Sequence, residues 1–217
     1  MVGLTLGEVA HKTLPLIGAD QTLQKAAEVM LANNVLGVVT ADVKRRPMLV
    51  LTYRTLLKAL AKGAHLKSRI SEYAIDEPIV AREEMTVIEG LELMRRNAVR
   101  FLPVVDARNR IVGVFEPRHA VQALWDLLDY GETTIQARLR KLIALPADTG
   151  LREAAIAMDR NGVPEVLVRV GEELKILREQ DFLRAVKDGA IDEAKVADYA
   201  RGKVIMVPQG FDAKSAV

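Results

Sequence analysis

Methionines at positions 30, 94 and 158 stand 64 residues apart, twice in succession, and several other positions keep the same step. Asn33, Asn97 and Asn161 repeat it, as do Val35, Val99 and Val163. Ten residues before each methionine is an acid, Asp20, Glu84 and Asp148, and the next position in that series is Asp212. Seven before each methionine is an apolar residue, Leu23, Val87 and Leu151. Agreement at independent positions means that the chain is an array of one structural unit, present in three copies with the start of a fourth.

Each copy reads alike. A short apolar piece opens it, at residues 14–17, 79–81, 142–145 and 204–207. An acid follows, ahead of a helix whose positive dipole end it suits. In the first copy Leu23, Ala26, Ala27 and Met30 fall at i, i+3, i+4 and i+7, one stripe of a helix. Next come an apolar strand (35–39, 99–105, 163–168), a polar turn and a second strand (48–51, 111–115, 174–177). A second helix starts near Tyr53, Pro117 and Glu179. The order is β-α-β-β-α, which places the chain in the α/β (α+β) class. So small a unit cannot cover both faces of its sheet, so copies are expected to pair sheet to sheet with helices outside. This divides the chain into a paired module over 6–128 (copies 6–64 and 70–128), a third copy over 138–189 and an incomplete fourth over 195–217. The module boundary is placed in the polar stretch 128–138. Leu23, Ala27 and Met30 are expected to meet Val87, Leu91 and Met94 at the face between the first two copies.

Composition excludes more than it offers. With 31 basic and 29 acidic residues the net charge is +2, which gives no strong electrostatic case for nucleic acid or an anionic membrane. There is no apolar run of about 18 residues. Residues 1–10 carry neither the basic start nor the apolar run of a secretion signal, so a cytoplasmic location is expected. The absence of cysteine removes disulfides, thiol nucleophiles and thiolate metal sites. His11, His65 and His119 lack metal-ligand spacing, and no nucleophile-elbow, phosphate-loop or zinc-protease motif occurs. No catalytic residue, metal site or resident cofactor is therefore expected, and the chain does not read as an enzyme. The run Lys44-Arg45-Arg46 reads as a solvated hairpin tip.

The second copy contains Met94-Arg95-Arg96-Asn97-Ala98-Val99-Arg100-Phe101-Leu102-Pro103-Val104-Val105-Asp106, then Arg110-Ile111-Val112-Gly113-Val114-Phe115. It resembles the CBS repeat, with its Met-ending helix, its apolar-Pro-Val-Val-Asp strand and its following apolar-Gly-apolar strand. The first copy keeps the helix and Asp42 but has Val39 in place of the proline. The third, Val163-Pro164-Glu165-Val166-Leu167-Val168, is looser. The resemblance spans residues 6–217. It implies a paired-repeat module whose clefts bind adenosine compounds such as AMP, ADP, ATP or S-adenosylmethionine, and which passes the ligand level to an effector protein.

The resemblance also implies where contacts lie. In the family a Ser or Thr, two variable residues and an Asp follow the second strand. The carboxylate accepts from the ribose hydroxyls, while the hydroxyl and the free helix-start amides hold phosphate. Here the windows are Thr52-Tyr53-Arg54-Thr55, Glu116-Pro117-Arg118-His119 and Arg178-Glu179-Gln180-Asp181, and none has both hydroxyl and acid. The candidates are Thr52, Arg54, Thr55, Arg118, His119 and Asp181. Arg54 and Arg118 share one slot and suit phosphate oxygens, whereas Glu116 would repel them. Adenine is expected at Leu16, Ile17, Leu36 and Gly37 in the first copy and at Val80, Arg100, Phe101, Leu102 and Pro103 in the second. The competing reading makes the leucines core, Thr55 and Asp181 helix-start residues, and Arg54, Arg118 and His119 surface groups. Two other functions stand beside nucleotide sensing: a dimerisation scaffold with degenerate clefts, and, on the basic balance and the hairpin tip, association with nucleic acid. Finally, the third copy lacks a complete partner. Its face around Leu151, Ala155 and Met158 is expected to be covered by the same face of a second chain, giving a homodimer, with 204–207 as an edge strand of that sheet.

Overall fold

A computed structural model of the chain describes residues 3–124, 142–202 and 204–208. The unit recurs three times. Helices α2 (Leu23–Asn33), α4 (Val87–Asn97) and α6 (Leu151–Asn161) are each 11 residues long and start and stop at the repeat interval. The repeated asparagine is a stop device. The amides of Asn33, Asn97 and Asn161 donate to the carbonyls of Val29, Leu93 and Ala157, at 2.8, 2.9 and 2.8 Å. The following residue, Asn34, Ala98 or Gly162, takes the left-handed conformation that ends a helix, with φ of 49°, 53° and 63°. At the other end the hydroxyls of Thr22 and Thr86 accept from the amides of Lys25 and Glu89.

Each of these helices leads into an antiparallel hairpin: β1 (Gly37–Ala41) with β2 (Pro47–Thr52), β5 (Leu102–Val105) with β6 (Ile111–Phe115), and β8 (Glu165–Val170) with β9 (Glu173–Arg178). Asp42 and Asp106 hold the first two turns in the same way. One carboxylate oxygen accepts from the amides two and four residues on, and the other pairs with Arg46 or Arg110. Arg46 of the basic run is thus tied into its turn. The second helices follow: α3 (Tyr53–Ala61), α5 (Pro117–Leu124) and α7 (Asp181–Lys187). The opening strands run parallel to the first hairpin strand, with β4 (Ala81–Arg82) on β5, β7 (Ala144–Pro146) on β8, and Leu16 bridging Val39.

The connectors are exchanged between the first two copies. Helix α1 (Leu6–Val9) precedes the first copy but packs on the second: the Leu6 amide donates to the Met85 carbonyl at 2.7 Å, and His11 pairs with Val114. Strand β3 (Ile75–Asp76) precedes the second copy but pairs with β2 of the first. Helix α8 (Val196–Tyr199), ahead of the expected fourth copy, packs on the third. With the first two copies interlocked, their sheets face each other. Val35, Val39 and Val50 meet Phe101, Val105, Ile111 and Val114 in one apolar cluster. Gly37 allows the approach, since a Cβ there would lie 3.2 Å from the Phe101 ring.

Because sheets fill the space between paired copies, the helix stripes point away from it, and two expectations are corrected. Leu23, Ala27 and Met30 do not meet Val87, Leu91 and Met94. They share a core with Leu151, Ala155 and Met158, while Val87 and Met94 belong to a separate cluster of the second copy, with Leu91 packed at its margin. Helix α2 packs on α7 and α3 on α6, so the apolar face of the third copy is covered by the first copy of the same chain. Arg152 fastens that seam. Its guanidinium donates to the carbonyls of Leu60 and Ala64 at 2.7 and 3.2 Å and pairs with Asp192 at 2.6 Å. Nor is 204–207 an edge strand: residues 204–208 form no strand, and Ile205 and Met206 are 83% and 84% exposed. The opening piece of each of the three copies pairs with the strand after its own helix, not with a neighbouring sheet edge. The expected boundary at 128–138 and Asp212 lie outside the described residues. Among the described residues no helix is long and apolar enough to cross a membrane.

Candidate functional site

Between the first two copies lies a cavity of about 430 Å³. From the first copy come Thr52, Arg54, Thr55 and Lys58, and from the second Ile79 and the turn 97–101. The link is mechanical. Helix α3 begins directly after β2, so its first turn is held at the sheet edge, and the exit from α4 is held opposite by β5. Of the candidates, Leu36, Thr52, Arg54, Thr55, Arg100 and Phe101 line the cavity. The Thr52 hydroxyl accepts from the Thr55 amide at 3.2 Å and shares a hydrogen bond with the Thr55 hydroxyl at 2.9 Å. Both threonines therefore serve the helix start, a role the competing reading gave to Thr55 alone, and both border the cavity.

Charges from three copies lie in and beside the cavity lining. Arg54 of the first and Arg100 of the second lie near Glu179 of the third, which is 8% exposed. Burial pushes the Glu179 carboxyl up, and the two arginines, the Tyr53 hydroxyl and Lys58 oppose that shift. Tyr53, also buried, has its hydroxyl pushed up mainly by desolvation. Among the described residues neither Arg54 nor Arg100 has a carboxylate within 4 Å, so both keep donors available.

The reciprocal cleft has a different interior. Its window, 116–119, faces residues 34–36 just as 52–55 faces 97–101. Here the Glu116 side chain crosses the gap, fully buried, and accepts from the Leu36 amide at 2.7 Å. Its other oxygen pairs with Arg118 at 2.5 Å, and Arg118 also donates to the Asn34 carbonyl. His119 Nδ1 accepts from the Glu116 amide at 3.1 Å, and its ring stacks on His11 with centroids 6.0 Å apart. Burial, then Arg118 and His11, hold the His119 imidazole down at about 4. His119 is thus not the surface group of the competing reading. The second window is engaged within the protein, which its sequence alone did not show.

The remaining candidates fall elsewhere. Leu102, Pro103 and Gly37 are buried in the sheets. Leu16 and Val80 pack at the margin of the intersheet cluster, and Ile17 at that of the core between the first and third copies. Asp181 accepts from the Arg178 amide at 2.8 Å and pairs with Arg184, the role of a helix-start acid. The signal for Val80 was off by one residue, since Ile79 faces the cavity. Lys58 and Tyr53 were missed; Lys58 lies one helical turn beyond Arg54, a spacing that could have shown it. Among the described residues no three His, Asp or Glu side chains converge on a metal site.

Comparison with known proteins agrees with this fold. The family model of the CBS domain matches residues 6–62 and 70–126, more than half of the chain. The crystal structure of protein MJ1225 from Methanocaldococcus jannaschii has a TM-score of 0.79 at 18% identity, covering 98% of this chain and 87% of that one. A CBS domain protein from Pyrobaculum aerophilum complexed with AMP has a TM-score of 0.50 at 24% identity, covering 54% of this chain and 89% of its own. In sequence, the CBS domain-containing protein YhcV of Bacillus subtilis is 31% identical over 101 residues, 45% of this chain and 69% of that protein. The repeat, the exchanged connectors, the paired sheets and the family match have one explanation: the chain belongs to the CBS-domain family.

Proposed function

We propose that the chain is a regulatory module that takes an adenine nucleotide, AMP, ADP or ATP, into the cleft between its first two copies and relays its presence to an effector protein. The observation that carries this is the cavity with two arginines in its lining. Ile79, Val99 and Phe101 offer apolar surface to a base, and Arg54 and Arg100 offer guanidinium donors to phosphate. The fold neighbour from Pyrobaculum aerophilum that holds AMP supports the ligand class. Thr55 stands where the family has its ribose-binding acid, so ribose recognition is weakened and affinity is expected between micromolar and millimolar.

Thermal shift and calorimetry with adenosine, AMP, ADP and ATP test the proposal. A ligand at one hundred times its Kd stabilises the folded state by about 2.7 kcal/mol. No heat and no shift at millimolar concentration of any nucleotide would sink the reading and favour a scaffold with degenerate clefts.

A further inference from the structure

The two clefts of the paired module are built from equivalent parts, yet a cavity lies in one and the buried Glu116 side chain crosses the other. The difference traces to one residue. Thr52 and Glu116 hold the same position in their copies, as do Arg100 and Leu36 across from them. In the first cleft the short Thr52 side chain turns back to cap its own helix and leaves the cavity empty beyond it. In the second, the longer Glu116 reaches across and takes the backbone amide of Leu36. Arg118, the counterpart of Arg54, is drawn in to balance the buried carboxylate and closes further on Asn34. The His119 ring stacks on His11 beside them.

We infer that Glu116 is a built-in occupant of the second cleft, so that the module takes up one adenosine compound rather than two, and that shortening this side chain creates a second ligand site. The amide that Glu116 satisfies is one an incoming ligand would otherwise use, and a buried donor left without a partner is costly. The occupant is also an anion, so a phosphate cannot share the space. This inference rests on the nucleotide reading of the first cleft, and the experiment separates the two.

Wild type and Glu116→Thr are titrated with ADP by calorimetry, and hydrogen exchange at the Leu36 amide is measured with no nucleotide present. The expected result is one equivalent of ADP in the wild type and two in the variant. Leu36 should exchange roughly ten- to a hundredfold faster once its acceptor is gone. Two equivalents in the wild type, one in the variant, or unchanged Leu36 protection would each overturn the inference. No binding to the wild type would refute the nucleotide reading instead, and the role of Glu116 would then be judged on Leu36 exchange alone. Should Glu116→Thr fail to fold, Glu116→Asp keeps the charge beside Arg118 while losing the reach. It should release Leu36 to the same extent, and wild-type protection there would refute the reasoning.

Discussion

The seam between the first and third copies can be tested through Met158. Its side chain is 1% exposed, in the core that joins Leu23, Ala27 and Met30 to Leu151 and Ala155. Truncation to alanine removes the end of a side chain held between two helix layers, with little freedom for either layer to collapse. Such buried Met→Ala changes cost about 2–5 kcal/mol, and a value of roughly 3 kcal/mol is expected for so fully enclosed a site. For a chain of this length about 1 kcal/mol corresponds to roughly 2–4 °C in Tm, so a fall of roughly 6–12 °C should follow. The assay is urea and thermal unfolding of wild type and Met158→Ala over a hundredfold range of protein concentration. Because the first copy covers this face within the chain, the difference between the two proteins should not change with concentration. A difference that grows on concentrating the protein, as mass action demands of an intermolecular contact, would refute in-chain cover and restore the second-chain interface. A loss below about 1 kcal/mol would show that the face is not buried at all.

Arg152→Ala removes donors from the Leu60 carbonyl of α3 and the Ala64 carbonyl beyond it and should destabilise by about 1–3 kcal/mol in urea unfolding, while Arg96→Ala, on an exposed helix face, should stay within about 0.5 kcal/mol. Arg54→Ala should weaken ADP and ATP by roughly tenfold or more in calorimetry and leave adenosine nearly unchanged; equal losses for all three would refute the phosphate role. His119 sets a pH dependence. Its folded-state value near 4 lies below the ordinary 6.5, so as pH falls between these values the unfolded chain takes up a proton that the folded chain refuses, and stability is lost. Wild type should therefore lose more stability than His119→Asn between pH 6.5 and 4, and parallel curves would show that His119 does not titrate in this way.

The repeat was legible because it is written in local chemistry. The interval fixes helix length through an asparagine that bonds back one turn and a left-handed residue after it, and both effects act within five residues. The apolar stripe and the hairpin aspartates are equally local. From these the β-α-β-β-α order, the class and the sheet-to-sheet pairing followed. The site was legible to the extent that windows at strand ends are local too: Thr52, Arg54, Thr55, Arg100 and Phe101 all border the cavity.

What sequence could not settle was which copy meets which. An amphipathic stripe shows that a face is covered but carries no address, so the stripe of the first copy was assigned to the second when it packs on the third. The exchange of connectors decides this, because α1 and β3 lock the first two copies through their sheets and leave the helices for another partner. The fate of Glu116 is of the same kind. In sequence it is an acid where a phosphate would be repelled. Only the tertiary structure sets the Leu36 amide 2.7 Å from its carboxylate, across 80 residues of chain, and makes it the occupant of its own cleft.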